Sequence, residues 1–202
     1  MRIITGKYKG RIIKMPAGIR PTQNKVRKAL FDILGDVQGL SFLELFAGSG
    51  AVGIEALSQG AEEVVFVEED RRCVEKIKHN LSALALSRSR VLALDVSRAI
   101  RQLRQAHQIF DIIFLDPPYY KGAAYRHYVS RGLSGDPGLR EEPVQLLAKK
   151  TLQTLSDYDI LAANGFVITQ HFRKDNLPDT LGVLSLFRQA KYGDTLLSFY
   201  KK

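Results

Sequence analysis

Glu44-Leu45-Phe46-Ala47-Gly48-Ser49-Gly50-Ala51-Val52-Gly53 joins an apolar run to a helical pattern through a turn of glycines. Leu40–Phe46 reads as a short strand, and Ala51–Ser58 as a helix entered through Gly48 and Gly50. Glycine lets the backbone turn sharply there and lets a ligand approach it closely. The same rhythm repeats on the C-terminal side. Glu63–Val67, Val91–Leu94 and Phe110–Leu115 read as strands; Arg71–Leu84 and a segment with Ile100 and Leu103 inward read as the helices between them. Phe110–Leu115 is nearly all apolar, as expected of a strand buried on both faces. This alternation predicts an α/β fold, a parallel sheet with helices on both sides. The tail adds a helix over Pro143–Leu155, a strand over Gly165–Thr169 and an antiparallel hairpin of Val183–Arg188 and Thr195–Tyr200, turned at Tyr192-Gly193-Asp194. Residues 120–142, interrupted by Gly122, Gly132, Gly135, Pro137 and Gly138, read as a long loop, which at such a length usually serves function or is disordered.

Two carboxylates sit where the second and third strands end. Glu68 faces the crevice of the first strand and can accept hydrogen bonds from both hydroxyls of a ribose, and Asp95 stands where the edge of an adenine would lie. Gly48, Gly50 and Gly53 fit the Gly-x-Gly-x-x-Gly pattern, with Glu68 twenty residues after Gly48. These features specify a nucleoside cofactor and leave NAD open. A P-loop is excluded by the lack of Gly-Lys-Ser/Thr, and a nucleophile elbow at Ser49 by Ala47 and Ala51 in the glycine positions.

The fourth strand ends in Asp116-Pro117-Pro118-Tyr119. Two prolines fix a rigid turn at the C-terminal edge of the sheet, and Pro117 offers a carbonyl acceptor with no amide donor. Asp116 and that carbonyl can grip the N–H groups of a planar amine, while Tyr119 stacks on the ring that carries it. A hydride-transfer role for this turn is not apparent.

The net charge of +9 is concentrated at one end. Arg2, Lys7, Lys9, Arg11, Lys14, Arg20, Lys25, Arg27 and Lys28 are nine cations in the first 28 residues, with no acidic residue among them, and the rest of the chain balances to zero. A localised positive field suits a polyanion, because neutralised phosphates release counterions. Residues 1–15 read as a small hairpin, followed by a helix from Thr22 to a stop at Gly35 with Val26, Ala29, Leu30, Ile33 and Leu34 on one side. Arg98, Arg101 and Arg104 share a helical face that reads as solvated. There is no signal-peptide-like or membrane-spanning apolar run, and one cysteine, Cys73, with four histidines gives neither a disulfide framework nor a zinc spacing. A cytoplasmic enzyme without a structural metal is the expectation.

Together these motifs resemble the class I methyltransferases that modify amino nitrogens, whose box is Asp/Asn/Ser-Pro-Pro-aromatic. More narrowly, the chain is similar to the bacterial small-subunit rRNA guanine-N2 methyltransferases, through Met1-Arg2-Ile3-Ile4-Thr5-Gly6, Gly10-Arg11, Arg20-Pro21-Thr22, Val26-Arg27, Leu30-Phe31, Leu45–Gly50 and Gly193-Asp194-Thr195. It departs from them at Asn24 and Lys28, where acidic residues are usual, and in a longer segment after Tyr120. The resemblance implies a Rossmann-like seven-stranded sheet over residues 37–202 and a basic RNA-binding extension over residues 1–36. It implies S-adenosylmethionine held by Glu44, Phe46, Gly48, Gly50, Glu68 and Asp95. A flipped guanine would be held by Asp116, Pro117, Pro118 and Tyr119, and small-subunit rRNA by Arg2, Lys7, Lys9, Arg11, Arg20, Lys25 and Arg27. An adenine-N6 or cytosine-N4 methyltransferase, an NAD-dependent oxidoreductase and a non-catalytic RNA-binding module are the alternatives.

Overall fold

The computed structural model describes residues 1–16, 23–117 and 144–202. Among these, β1 (Ser41–Leu45), β2 (Glu63–Val67), β3 (Ser89–Leu92), β4 (Phe110–Leu115) and β5 (Leu161–Phe172) alternate with α2 (Ala51–Ser58), α3 (Arg71–Ala83), α4 (Val96–Gln105) and α5 (Val144–Tyr158). Helix α1 (Asn24–Leu34) precedes them, and β6 (Thr180–Leu181), β7 (Leu184–Tyr192) and β8 (Thr195–Lys201) follow. The strands form one sheet in the order β3-β2-β1-β4-β5-β8-β7-β6. The first five are parallel, and the last three join as antiparallel strands. The expected α/β architecture is present, with eight strands rather than seven: the additional one is β6, two residues paired to the outer edge of β7.

Strand alternation divides the core. Phe42, Phe66, Ile112, Phe114, Ile168 and Phe199 face α1, α2 and α3. Leu43, Leu45, Val65, Val67, Ile113 and Val167 face α4 and α5, which contribute Ile100, Leu103, Leu152 and Leu155. Successive strand residues point to opposite faces, so central strands covered on both sides must be apolar at every position. Strand order reverses between β1 and β4, which opens a crevice at their C-terminal ends, the usual ligand position in such sheets.

Boundaries differ from the sequence reading where apolar content misleads. The sequence predicts Val91–Leu94 as the third strand, but β3 starts at Ser89 and ends at Leu92, because the chain must turn at Asp95 to enter α4. β5 begins at Leu161, well before the predicted Gly165, and carries an irregularity opposite Phe110 and Ile112. Helix α1 stops at Gly35 (φ 72°) as predicted; its start is at Asn24, after Gln23, and Thr22 lies outside the described residues.

The N-terminal segment is one antiparallel bridge, Arg2 to Ile12, rather than a full ladder. Ile3 and Ile13 are buried in the core shared with α1 and α2. Its backbone is tied to helices. Glu55 of α2 accepts hydrogen bonds from the amides of Ile4 (2.9 Å) and Thr5 (2.7 Å) and from the Thr5 hydroxyl (2.8 Å). Ser58 receives the amides of Lys7 at its carbonyl (2.7 Å) and of Tyr8 at its Oγ (3.0 Å). Asn80 of α3 exchanges two hydrogen bonds with the Lys14 backbone, at 2.8 and 2.9 Å. Gly6 makes this docking possible: its φ is +76°, and a Cβ there would stand 1.9 Å from the Ser58 carbonyl oxygen. Gly6→Ala is therefore expected to destabilise the fold by about 1–3 kcal/mol through overpacking and backbone strain. A urea titration measures it, and unchanged stability would mean that the segment is not seated on α2.

Candidate active site

The glycine turn lies at the mouth of the crevice. Phe46 has φ 57°, a strained conformation for a bulky residue and one that marks functional turns. Gly50, left-handed at φ 72°, opens α2. Behind the turn, Glu44 is almost fully buried and accepts the amides of Val52 (3.3 Å) and Gly53 (2.8 Å), so that two of the N-terminal donors of α2 are taken by the chain's own carboxyl. A Cβ on Gly53 would fall 2.5 Å from the Phe66 ring and 2.8 Å from Glu44 Oε2, which accounts for the third glycine as a packing requirement.

Burial pushes the Glu44 carboxyl up to about 8, with nearby Asp116 adding to the rise and the two amides and Arg27 opposing it. The folded protein thus keeps a proton that the unfolded chain releases above about pH 4.5. The contribution of this group is full below the unfolded value and is lost as pH rises to about 8. In urea, Glu44→Gln should accordingly gain stability relative to wild type as pH rises from about 4.5 to about 8, because only wild type must give up the buried proton. A difference independent of pH would show that Glu44 is ionised in the folded state.

Glu68, 7% exposed, leaves the end of β2 and accepts the Gly48 amide (2.7 Å) and the Asp70 amide (2.8 Å), bracing the glycine turn. Burial raises its pKa while those amides lower it. Beside it the Cys73 thiol is buried and pushed up to about 12 by desolvation and by Glu68 and Asp70, so it is an inert apolar filler. Asp95 sits where β3 gives way to α4, and its carboxylate caps the helix through the Arg98 amide (3.0 Å) with the Arg98 guanidinium 3.3 Å away.

Asp116 follows β4, one strand over from the glycine turn. Its amide reaches the Leu45 carbonyl of β1 at 3.5 Å, and its Oδ2 accepts Gln170 Nε2 at 2.9 Å. Pro117 is buried; Pro118 and Tyr119 lie outside the described residues. The structure thus brings Glu44, Gly48, Gly50, Glu68 and Asp116 to one edge of the sheet. Gln170, near the C-terminal end of β5, was not singled out from the sequence. The available signal was a polar residue two places after the apolar Phe166-Val167-Ile168, on the strand next to Asp116.

Of the basic residues, Arg2, Lys7, Lys9, Arg11 and Lys25 are exposed, and Arg20 lies outside the described residues. Arg27 corrects the sequence reading. Its side chain is fully buried, with Nε 3.2 Å from Glu55 Oε2 and hydrogen bonds to the Arg2 carbonyl (2.7 Å), Met1 Sδ (2.8 Å) and Asn24 Oδ1 (3.2 Å). No phosphate can reach it there. A basic residue on the apolar side of α1 had found a carboxylate partner on α2.

The family model described as "Conserved hypothetical protein 95" matches residues 1–135. The putative rRNA methyltransferase YlbH of Bacillus subtilis (strain 168) is 36% identical over 206 residues, covering 100% of this chain and 99% of that protein. Ribosomal RNA small subunit methyltransferase D of Escherichia coli (strain K12) is 30% identical, covering 100% of this chain and 90% of that protein. The chain belongs to the small subunit methyltransferase D family. This family member superposes on the solved structure of the putative methyltransferase yhhF from Escherichia coli with a TM-score of 0.75 and 28% identity, covering 100% and 97% of the two chains. The span matched by that family model contains the glycine turn, Glu68 and Asp116, and ends before Gln170.

Proposed function

We propose that the chain transfers a methyl group from S-adenosylmethionine to the exocyclic N2 amine of a guanine in small-subunit (16S) ribosomal RNA. The names of the relatives support methylation of ribosomal RNA. The observation that carries the cofactor assignment is Glu44 across the first turn of α2. A dinucleotide rests its pyrophosphate on the amides at that helix N-terminus. Here Val52 and Gly53 give two of those amides to a buried carboxyl, which removes donors a pyrophosphate would use, whereas a nucleoside cofactor without phosphate needs none. The residues therefore fit S-adenosylmethionine better than NAD.

The cofactor supplies an electrophilic methyl group on a sulfonium. Gly48 and Gly50 give its methionine part a close backbone approach, with Phe46 beside the turn. Glu68 retains a lone pair on each oxygen for the ribose hydroxyls, and Asp95 offers a carboxylate to the adenine edge. The target guanine leaves its stack to reach the crevice, as bases must for enzymes that modify them. On the Asp-Pro-Pro-Tyr pattern of the sequence, Tyr119 would stack on the base and Pro118 would stiffen the turn. Asp116 and the Pro117 carbonyl accept the amine's N–H groups, which favours a pyramidal nitrogen whose lone pair is free to attack. Asp116 would take the proton shed as the nitrogen–carbon bond forms and the carbon–sulfur bond to the methyl donor breaks, with S-adenosylhomocysteine as the leaving group. Residues 1–36 carry Arg2, Lys7, Lys9, Arg11, Arg20 and Lys25 to the RNA phosphates, and residues 37–202 hold the methyl-transfer site.

The test is methyl transfer from radiolabelled S-adenosylmethionine to small-subunit rRNA that lacks the modification, free and as partly assembled subunits, followed by nucleoside analysis. N2-methylguanosine is the expected product. Label in N6-methyladenosine or N4-methylcytidine would keep the cofactor and overturn the base, and no label on either substrate would overturn the proposal.

A further inference from the structure

We infer that Gln170 reads the target base: its amide oxygen accepts the N1–H of the guanine whose N2 amine Asp116 holds, and this selects guanine over adenine and cytosine. The inference rests on the reading above and deepens it.

β4 and β5 are parallel neighbours with Leu115 opposite Thr169, so Asp116 and Gln170 come next in register, on the same face of the sheet and at its C-terminal edge. Gln170 is 5% exposed, and its Nε2 donates to Asp116 Oδ2 at 2.9 Å. An ionised carboxylate only accepts, so it settles which end of the amide faces it. Oε1 is then the end left over. It is buried and has no hydrogen-bond partner among the described residues. Buried carbonyl oxygens are ordinarily satisfied, and one held in this state beside a reactive carboxylate calls for a donor from a ligand.

The pair therefore presents two acceptors side by side, Asp116 and Gln170 Oε1. Guanine offers the complement, because its N2 amine is flanked by N1–H, a second donor on the same edge. In adenine the amine is flanked by a lone pair at N1, and in cytosine by a lone pair at N3. To serve either of those, the Gln170 amide would have to rotate and set its oxygen against the Asp116 carboxylate, two acceptors with no proton between them. Asp116 thus locks Gln170 in the orientation that suits guanine, and a site built on such a hydrogen bond strongly rejects a partner that lacks the donor.

The test measures methyl transfer by the full chain to RNA that carries guanosine or 2-aminopurine riboside at the nucleotide identified by the labelling experiment. 2-Aminopurine keeps the 2-amine but has a lone pair at N1. Wild type is expected to favour guanosine by about 10- to 100-fold in kcat/KM. Gln170→Met, similar in length and without the polar end, should bring the two substrates to within about threefold of each other. Gln170→Glu, protonated on the oxygen that faces Asp116 and accepting with the other, should recover the preference for guanosine. Equal losses on both substrates in Gln170→Met, with the wild-type ratio kept, would make Gln170 purely structural and overturn the inference. Should circular dichroism show that Gln170→Met does not fold, Gln170→Leu is measured in its place, and a folded variant that keeps the wild-type ratio overturns the inference. Absence of label in guanosine with wild type would overturn the guanine reading and this inference together, whereas label with an unaltered ratio overturns this inference only.

Discussion

Alanine at Asp116 is expected to lower the rate of methyl transfer by about a hundred- to ten-thousand-fold, the range lost with a positioned acid–base group. The guanine amine is a poor nucleophile because its lone pair is delocalised into the ring. Asp116 stands at the end of β4 in the crevice beside the glycine turn, where a carboxylate can localise that lone pair and take the departing proton. The glycine turn is braced by Glu68 and the start of α2 by Glu44. Affinity for S-adenosylhomocysteine, measured by calorimetry, should therefore be retained in Asp116→Ala. A parallel loss of that affinity would assign Asp116 to the scaffold, and full activity would remove it from the chemistry.

The second large effect concerns stability. Arg27→Ala is expected to cost about 3–5 kcal/mol, because it leaves the Glu55 carboxylate buried without its cation. It also removes the donor to the Arg2 carbonyl, one of the ties that seat the N-terminal segment on α1. In a chain of this size the melting temperature should fall by about 10 °C. Had Arg27 contacted RNA, the same substitution would leave melting unchanged and weaken RNA binding with a shallower salt dependence. Thermal denaturation beside a filter-binding salt series separates the two outcomes.

Legibility in the sequence followed from whether a residue's role is set by its neighbours in the chain. β2 and β4 were readable to the residue, because a strand buried on both faces must be apolar throughout and turn residues bound it. β3 was misplaced because it is an edge strand with Ser89 and Arg90 in it, while the apolar Leu94 lies beyond it in the approach to α4. The glycine turn, Glu68 and Asp116 follow directly from strand ends, which the fold gathers at one edge. Arg27 and Gln170 were beyond reach for one reason: each is defined by a partner on another element. Gln170 meets a carboxylate 54 residues earlier in the chain, and no periodicity encodes that pairing. Asp95 shows the converse, a strand-end carboxylate that was legible in position but whose observed hydrogen bond serves the helix it starts.

The way the N-terminal segment is fastened has a consequence for how this family can vary. The ties to Glu55, Ser58 and Asn80 reach peptide groups of residues 4, 5, 7, 8 and 14, together with the Thr5 hydroxyl. The side chains of Lys7, Lys9, Arg11 and Lys14 take no part in them and point to solvent. The path of the segment and the charges it displays are therefore separately inherited traits. Substitutions at those four positions can change the charge that the segment displays without touching the hydrogen bonds that seat it on α2 and α3.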